Sequence, residues 1–480
     1  MRLTQIAAIL LLLAKAWVTF VHPPLGDEAY YWLWGQRPDW SYFDHPPLHA
    51  WLLGVVSALG WSLFSLRALA WATLLGTLWV FWLWAKRLSP ENPGSWWWPT
   101  VALYLASPLY FAMTTIVFHD HLLIFLVVAT AHCLLVFAEK FEAGHRDFRW
   151  LYAAGVVLGL SVLTKYNGAL LGLGMALFFL VHKPVRAVLR TPHPYLAALV
   201  GMAMQAPVLW WNLNEGFASY TFHISERWGG EIPLDPNPNG LSRYVVQALL
   251  WVSPFVFPAI FGLIRKPLGA PFADRARVLA LCIFGISTVA TSVLSLFVEV
   301  FFYWNIVAYP LLMPLLAGKM RRIWVWALHL LYGLTIAALL TVSTVIPVST
   351  LNGRSDWTLA STFGWPEVAA RVEALKGEHQ IGFVAATGYQ IAAEVGYAMR
   401  DPNVVTVSPR HDQYDYWFRP EEHIGEDALI VADTRFGVDY ISRFFEELVP
   451  LEQVPYERFG YLIYTPSIYL GRGFRIPADD

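Results

Sequence analysis

Long apolar stretches recur along this chain and limit what it can fold into. A bilayer core about 30 Å thick is crossed by a helix of about 17–25 mostly apolar residues. The chain is 57% hydrophobic and only 14% charged, whereas soluble domains carry about 25% charged residues. The sequence therefore predicts a polytopic α-helical membrane protein with about 11–13 transmembrane helices. The predicted spans lie near residues 4–21, 62–85, 98–116, 121–139, 150–164, 167–181, 194–212, 244–264, 278–298, 303–318 and 323–346, with 46–60 as a further candidate.

Lysine and arginine are unevenly divided between the loops that connect these spans, and this orients the chain. One alternate set of loops holds most of them, and the positive-inside rule places that set in the cytoplasm. The N-terminus is then cytoplasmic, and the 22–50 loop lies outside with most of the acidic residues. The first apolar stretch resembles a signal peptide but has no small-residue cleavage site, so we predict a retained first span. No basic run indicates binding to nucleic acid.

The composition changes near residue 348, where long apolar runs stop and charged residues become frequent. Short apolar runs at 381–386 and 428–433 predict buried strands, whereas helices are predicted near 364–375, 391–399 and 438–448. We therefore predict two domains, a transmembrane catalytic domain over 1–347 and a small α/β domain over 348–480. An odd number of spans places the α/β domain outside the cytoplasm, facing the periplasm or the exterior.

The first predicted span is followed by a loop rich in acidic and aromatic residues. Its carboxylates are Asp27, Glu28, Asp39 and Asp44, and ionisable groups beside lipid are costly, so they indicate function. A carboxylate here is suited to accept a proton from an attacking hydroxyl. Cation binding, sugar binding and a solvated helix cap are the alternatives. Asp44 and His45 precede two prolines, a pattern that is more typical of a turn that supports a site.

Two further groups of polar residues lie on the predicted outer side. His119, Asp120 and His121 begin a predicted span; they are compatible with a metal, but their spacing is not diagnostic. A divalent metal and a purely polar cluster both stay open, and we assign no cofactor. Lys165 lies at membrane depth and needs an anionic partner, either a phosphate or a nearby carboxylate. Arg67 allows the same two interpretations.

Several motifs together resemble a known family. Asp-Glu-Ala-Tyr-Tyr-Trp-Leu-Trp at residues 27–34, followed by Asp-His-Pro-Pro-Leu at 44–48, resembles the bacterial branch of the dolichyl-phosphate-mannose protein mannosyltransferases. That branch is similar to the lipid A aminoarabinose transferases and has the GT-C fold. Further agreement comes from the segments at 118–121, 163–168, 302–310, 364–367 and 413–417. The segment at 302–310 departs from the family pattern, because it has Trp304-Asn305 where Trp-Pro is common.

The resemblance implies an inverting glycosyltransferase of the inner membrane. Its donor would be a polyprenyl-phosphate-linked sugar, and its acceptor an envelope lipid, glycan or protein at the outer face of that membrane. The implied catalytic residues are Asp27 as the base, Glu28 beside it and Asp120, while Lys165 and Arg67 would bind the donor phosphate. The residues that would contact the substrate or support the site are Tyr30, Tyr31, Asp44, His45, His119, His121, Tyr166 and Tyr414.

Two other classes of protein compete with this interpretation. A transporter or flippase of a lipid-linked glycan would use intramembrane charges along its substrate path and would show inverted repeats, none of which is visible in the sequence. A scaffold subunit of an envelope complex would tolerate replacement of the acidic residues. Catalysis instead predicts that Asp27 is indispensable.

Overall fold

The structure is a computed structural model that describes residues 2–228, 230, 235–320, 322–352 and 360–477. The chain divides into two compact units. The first contains Met1–Trp17, Trp40–His49 and Arg67–Ala338, and the second contains Val18–Asp39, Ala50–Leu66 and Leu339–Asp480. The second unit thus combines the acidic motif at 27–34 with the C-terminal segment.

Helices dominate the described part of the chain. They are α1 Arg2–Val21, α2 Gly26–Gln36, α3 Leu48–Val56, α4 Leu63–Leu88, α5 Gly94–Leu105, α6 Pro108–Met113, α7 His119–Glu142, α8 Arg149–Thr164, α9 Ala169–Val181, α10 His193–Ala203, α11 Ala206–Asn214, α12 Ala218–Ile224, α13 Pro238–Val252, α14 Phe257–Arg265, α15 Pro271–Leu294, α16 Met313–Leu316, α17 Ile323–Ser343, α18 Trp365–Glu378 and α19 Tyr389–Met399.

The apolar helices confirm a multi-pass membrane protein. Among the described residues, α1, α4, α7, α15 and α17 are each long and apolar enough to cross a bilayer. Three bent pairs of helices bring the number to as many as eight if each pair is one span. The shorter apolar helices are Leu48–Leu59 and Arg149–Thr164. This criterion gives fewer spans than the predicted 11–13 because several predicted spans are short or broken.

Residues 303–318 do not form the single helix that their apolar character predicts. They contain a 3₁₀ turn at Ile306–Ala308 and the four-residue helix α16. Two prolines, Pro310 and Pro314, remove backbone donors from this stretch. The buried Asn305 amide holds its start, because its Oδ1 accepts from Ser287 Oγ at 2.6 Å and its Nδ2 donates to the Tyr244 hydroxyl at 2.7 Å. The other predicted spans coincide with helices, several of them broken.

Small residues allow α8 and α10 to cross closely within the first unit. A Cβ added at Gly155 would lie 2.5 Å from the carbonyl oxygen of Ala197, and one added at Gly159 would lie 2.9 Å from that of Gly201. Such small-residue contacts are a common way for helices to associate in a bilayer, where burial of apolar surface provides no driving force.

The C-terminal segment folds around a five-stranded mixed sheet. Its strands are β1 Phe383–Ala386, β2 Val405–Thr406, β3 Ala428–Ala432, β4 Phe445–Gln453 and β7 Ser467–Phe474, in the order β2-β1-β3-β7-β4. β1 runs parallel to β2 and β3, whereas β7 is antiparallel to β3 and β4. Two more strands, β5 Tyr456–Arg458 and β6 Tyr461–Tyr464, form a separate hairpin. The predicted strands at 381–386 and 428–433 correspond to β1 and β3, and the predicted helices at 364–375 and 391–399 correspond to α18 and α19.

The prediction of a helix over 438–448 is wrong. A 3₁₀ turn at Ile441–Phe444 leads directly into β4, which pairs with β7. Phe444 and Phe445 join Phe474 in the hydrophobic core of the domain. Pairing and packing with residues distant in the sequence therefore determine the local structure here, which a local pattern cannot report.

Candidate active site

The acidic motif opens helix α2 in the second unit. Asp27 and Glu28 occupy the first turn, where negative charge is favoured by the helix dipole. Glu28 is fully buried, and its Oε2 accepts from the backbone N–H of Leu25 at 3.0 Å. This contact ties the residue that precedes the helix to its first turn, so Glu28 fixes the start of α2 on which Asp27 lies.

The Asp27 carboxylate is held by two side chains from the start of α19. Its Oδ1 accepts from the Tyr389 hydroxyl at 3.0 Å and from Gln390 Nε2 at 3.4 Å. Both donors lie just after β1, at the carboxyl end of a parallel strand, which is where α/β sheets usually bind ligands. Gly26 allows this approach, since a Cβ there would lie 2.8 Å from the Cβ of Gln390. Sequence reasoning missed both donors because no motif marks them.

The surroundings of Asp27 make its carboxylate more basic. Burial raises the pKa of the Asp27 carboxyl, and the hydrogen bonds from Tyr389 and Gln390 oppose this rise. The cationic Arg410 also opposes it; its guanidinium lies 4.1 Å from the centre of the Tyr389 ring. A general base is most effective when its pKa approaches the working pH. The arrangement therefore gives a positioned carboxylate with increased affinity for a proton.

Aromatic side chains of the motif at 27–34 pack against other residues of the second unit and hold α2 in place. The buried Tyr30 ring stacks on the buried Tyr414 ring at 5.7 Å between centroids, and its hydroxyl accepts from the backbone N–H of Gln413 at 2.8 Å. Tyr31 packs edge-on against Trp34 at 5.2 Å. Tyr30, Tyr31 and Tyr414 thus contribute to packing in this unit, and their support of the site stays a prediction.

Within the first unit, the structure brings Asp120 and Lys165 together. Lys165 Nζ donates to both carboxylate oxygens of Asp120, at 2.9 Å and 2.8 Å, and both residues are buried. Asp120 lies in the first turn of α7, and Lys165 lies in extended backbone directly after α8. The Tyr303 ring lies 4.7 Å from the ammonium group. Asp120 therefore supplies the nearby carboxylate that was one of the two partners considered for Lys165.

A row of histidines accompanies this ion pair in the first unit; His49, His119 and His121 are buried and His45 is half-buried. The ring centroids of His45 and His119 are 4.2 Å apart, and those of His119 and His49 are 4.4 Å apart. His49 Nε2 lies 3.2 Å from His121 Nε2, whose other ring nitrogen lies 2.9 Å from Thr73 Oγ1. Burial lowers the pKa of His45 well below its usual range. His49 was not predicted as a site residue because it lies in an ordinary apolar helical pattern.

The histidines do not form a metal-binding set in the described part of the chain. No group of three or more His, Cys, Asp or Glu side chains among these residues has an arrangement that could hold a metal ion. The side chains of His119 and His121 instead contact the neighbouring histidines and, for His121, the Thr73 hydroxyl.

The remaining predicted residues lie in the same unit. The backbone oxygen of Asp44 accepts from His223 Nε2 at 2.8 Å. The Tyr166 hydroxyl bonds Ser219 Oγ at 2.9 Å, and its ring lies edge-on to His223 at 5.0 Å. Arg67 is fully buried near the start of α4. His223 was missed because it lies in a short helix, α12, without a recognisable motif.

Comparison with known proteins agrees with this fold. The family described as dolichyl-phosphate-mannose-protein mannosyltransferase matches residues 44–211. The lipid A galacturonosyltransferase RgtD of Rhizobium johnstonii is 25% identical over 390 residues, which are 78% of this chain and 77% of that protein. Crystal structures of ArnT from Cupriavidus metallidurans, in the apo state and bound to undecaprenyl phosphate, have TM-scores of 0.63 and 0.64. They cover 97% of both chains at 15% and 16% identity.

The fold and these similarities define the class of protein as a membrane glycosyltransferase with the GT-C fold. Within that class, the chain is similar to the dolichyl-phosphate-mannose-protein mannosyltransferases over residues 44–211 and to a lipid A transferase over most of its length. The resemblance recognised in the sequence is therefore confirmed. Because the curated relative is itself named a transferase, the matches favour sugar transfer over the transporter alternative.

Proposed function

We propose that this protein transfers one sugar from a polyprenyl-phosphate-linked donor to lipid A. Two similarities support this proposal: the curated relative is named for transfer to lipid A, and one ArnT structure contains undecaprenyl phosphate. The main observation in favour of this chemistry is the state of Asp27. Its carboxyl group lies at the start of α2, has a raised pKa and accepts hydrogen bonds from Tyr389 and Gln390.

The reaction occurs at the periplasmic face of the inner membrane. The uneven distribution of lysine and arginine between the loops supports this orientation, since it places the 22–50 loop and the C-terminal segment outside the cytoplasm. A donor attached to a lipid explains why the protein keeps ionisable residues at membrane depth, because the phosphate stays at the membrane surface while its chain stays in the bilayer.

Asp27 serves as the general base. It accepts the proton of an acceptor hydroxyl while the hydroxyl oxygen forms a bond to the anomeric carbon of the donor sugar. The bond between that carbon and the phosphate oxygen breaks, and the lipid phosphate leaves with the bonding electrons. Attack from the side opposite the phosphate inverts the configuration at the anomeric carbon. Glu28 positions Asp27 by fixing the first turn of α2.

Lys165 stabilises the negative charge that develops on the leaving phosphate. A lysine ammonium has three hydrogens, and its contacts with Asp120 use two of them in the structure. Asp120 orients this ammonium and offsets the cost of burying it. Arg67, also buried, is the second cation assigned to the donor phosphate.

Mass spectrometry of lipid A from cells with and without the protein tests the proposed function. We expect one added sugar residue on lipid A that depends on the protein. The added mass on a protein or another glycan would overturn the proposed acceptor while leaving the reaction class intact. No change in any envelope lipid, glycan or protein would overturn sugar transfer itself. The same comparison would identify the sugar from its mass.

A further inference from the structure

The hairpin formed by β5 and β6 presents apolar side chains to its surroundings at the tip. Its two strands are joined by the two residues Phe459 and Gly460, with Arg458 opposite Tyr461. Phe459 is 70% exposed, Leu462 is 57% exposed and Tyr461 is 44% exposed. Three neighbouring side chains of this kind at one loop tip are uncommon on a surface that faces only water.

Phe459 is also unfavourable for the turn that it forms. Its φ is 54° and that of Gly460 is 77°, so both residues are in the left-handed region. Two-residue hairpin turns with positive φ at both positions favour asparagine, aspartate and glycine, and a bulky residue there is strained. An exposed phenylalanine at a strained position therefore suggests a benefit that comes from outside the hairpin.

The base of the hairpin lies where two membrane helices end. The Tyr456 ring stacks on Phe363 at 6.0 Å, and the Phe363 ring lies 6.2 Å from that of His22, the residue that follows α1. β6 contacts the 3₁₀ turn Val348–Asn352, which comes shortly after the end of α17. Both α1 and α17 are long and apolar enough to span a bilayer. The base of the hairpin therefore lies near the ends of both helices.

We propose that the tip of this hairpin inserts into the interfacial region of the leaflet from which α1 and α17 emerge. Phenylalanine, tyrosine and leucine suit this region, where aromatic rings concentrate in membrane proteins. The Arg458 guanidinium lies 5.9 Å from the Phe459 ring, from where it reaches lipid phosphates while its stem stays on apolar surface.

The charged residues beside the turn limit the depth of insertion. Glu457 is opposite Leu462 in the hairpin, and Arg458 directly precedes the turn. A buried carboxylate would be costly in hydrocarbon, so Glu457 stays at the level of the headgroups. The hairpin thus enters only as far as its tip, and it anchors the C-terminal domain at a fixed height on the lipid surface.

Fluorescence quenching in phospholipid nanodiscs tests the proposal on the full-length protein. Cys133 and Cys282 are replaced by alanine, and Phe459→Cys carries an environment-sensitive fluorophore. Ile424→Cys is the matched control, because Ile424 is an apolar residue of the same domain that is 60% exposed. We expect lipids with a shallow spin label to quench the probe at 459 more than aqueous iodide does, and the reverse at 424. Preferential quenching by iodide at 459 would overturn the proposal.

A second variant separates insertion from folding of the hairpin. Phe459→Asn suits the positive φ of the turn, so the thermal stability of the protein should be unchanged or higher. A probe placed by Leu462→Cys reports insertion in this variant. Losing the burial of one phenylalanine should lower the ratio of inserted to free hairpin by roughly tenfold or more. Equal lipid quenching at 462 with and without Phe459→Asn would contradict the proposed role of the tip.

Discussion

At the scale of single residues, the proposed chemistry rests on Asp27. Tyr389 lies 362 positions away in the sequence, and yet its hydroxyl donates to the Asp27 carboxylate. The resemblance of the motif at 27–34 predicts Asp27 as the base, but it cannot predict the two donors, because a hydrogen bond across that separation leaves no local pattern. The structure adds what holds the carboxylate and what makes it basic.

Replacement of the proposed base by its amide is the first prediction. Asp27→Asn keeps the size of the side chain but cannot accept a proton, so transfer should fall by roughly 10²–10⁴-fold. Sugar transfer by the purified protein in nanodiscs measures this, with insertion checked by yield and thermal stability. Asp39→Asn is the matched control, since it changes an acidic residue of the same loop that has no assigned role. Full transfer by Asp27→Asn would exclude Asp27 as the base.

The pH dependence of transfer provides the second prediction. The base acts in its ionised form, so transfer should decline as the pH falls through the raised pKa of Asp27. Tyr389→Phe removes a hydrogen bond that favours the ionised form, which raises that pKa further. The acidic limb of the pH–rate profile should therefore move to higher pH. Tyr397→Phe on the same helix serves as the control, and a shift of equal size in that variant would contradict the assignment.

At the scale of elements, the ion pair between Asp120 and Lys165 links the start of α7 to the break after α8. The two residues are buried, and removal of one partner would leave the other charge without its compensation. Lys165→Met should therefore lower the free energy of unfolding by about 3–5 kcal/mol. Thermal unfolding in detergent or nanodiscs measures the change.

The double variant distinguishes structure from chemistry at this pair. Lys165→Met with Asp120→Leu removes both charges, so much of the lost stability should return, because buried pairs replaced by apolar residues often cost little. Transfer should remain low, since the cation assigned to the leaving phosphate is still absent. Recovery of transfer together with stability would show that Lys165 has only a structural role.

The sequence predicted these elements well where their determinants are local. Runs of apolar residues predicted α1, α4, α7, α15 and α17, and short apolar runs predicted β1 and β3. The failures at 303–318 and 438–448 have different causes. Prolines inside 303–318 and the hydrogen bonds of Asn305 determine the first, and pairing with β7 determines the second. The partners of Asn305 and of β4 lie outside their segments, and hydropathy reports neither these partners nor the effect of proline.

At the scale of the whole molecule, the predicted division at residue 347 differs from the compact units of the structure. The second unit includes Val18–Asp39 and Ala50–Leu66 as well as the C-terminal segment. Within it, α2 packs on α19, and the backbone N–H of Gln413 donates to Tyr30. The C-terminal domain therefore supplies contacts on which the position of the N-terminal acidic motif depends.

Removal of the C-terminal segment tests this dependence. A chain that ends at residue 347 should lose transfer, because α2 loses Tyr389, Gln390 and its packing on α19. Membrane integration of the truncated chain, measured by fractionation and by the accessibility of its loops, shows whether the spans still form.

A point variant of the full-length chain tests the same dependence without removing the C-terminal segment. Gly26→Leu places a side chain where a Cβ would already lie 2.8 Å from Gln390, so it should displace α19 from α2 and lower transfer. Gly377→Leu, at a helical position with nothing within 4 Å of an added Cβ, is the control and should retain transfer. Transfer retained by both the truncated chain and Gly26→Leu would show that Asp27 works without the C-terminal domain. Loss in both, with Gly377→Leu active, would instead identify that domain as part of the machinery that positions the base.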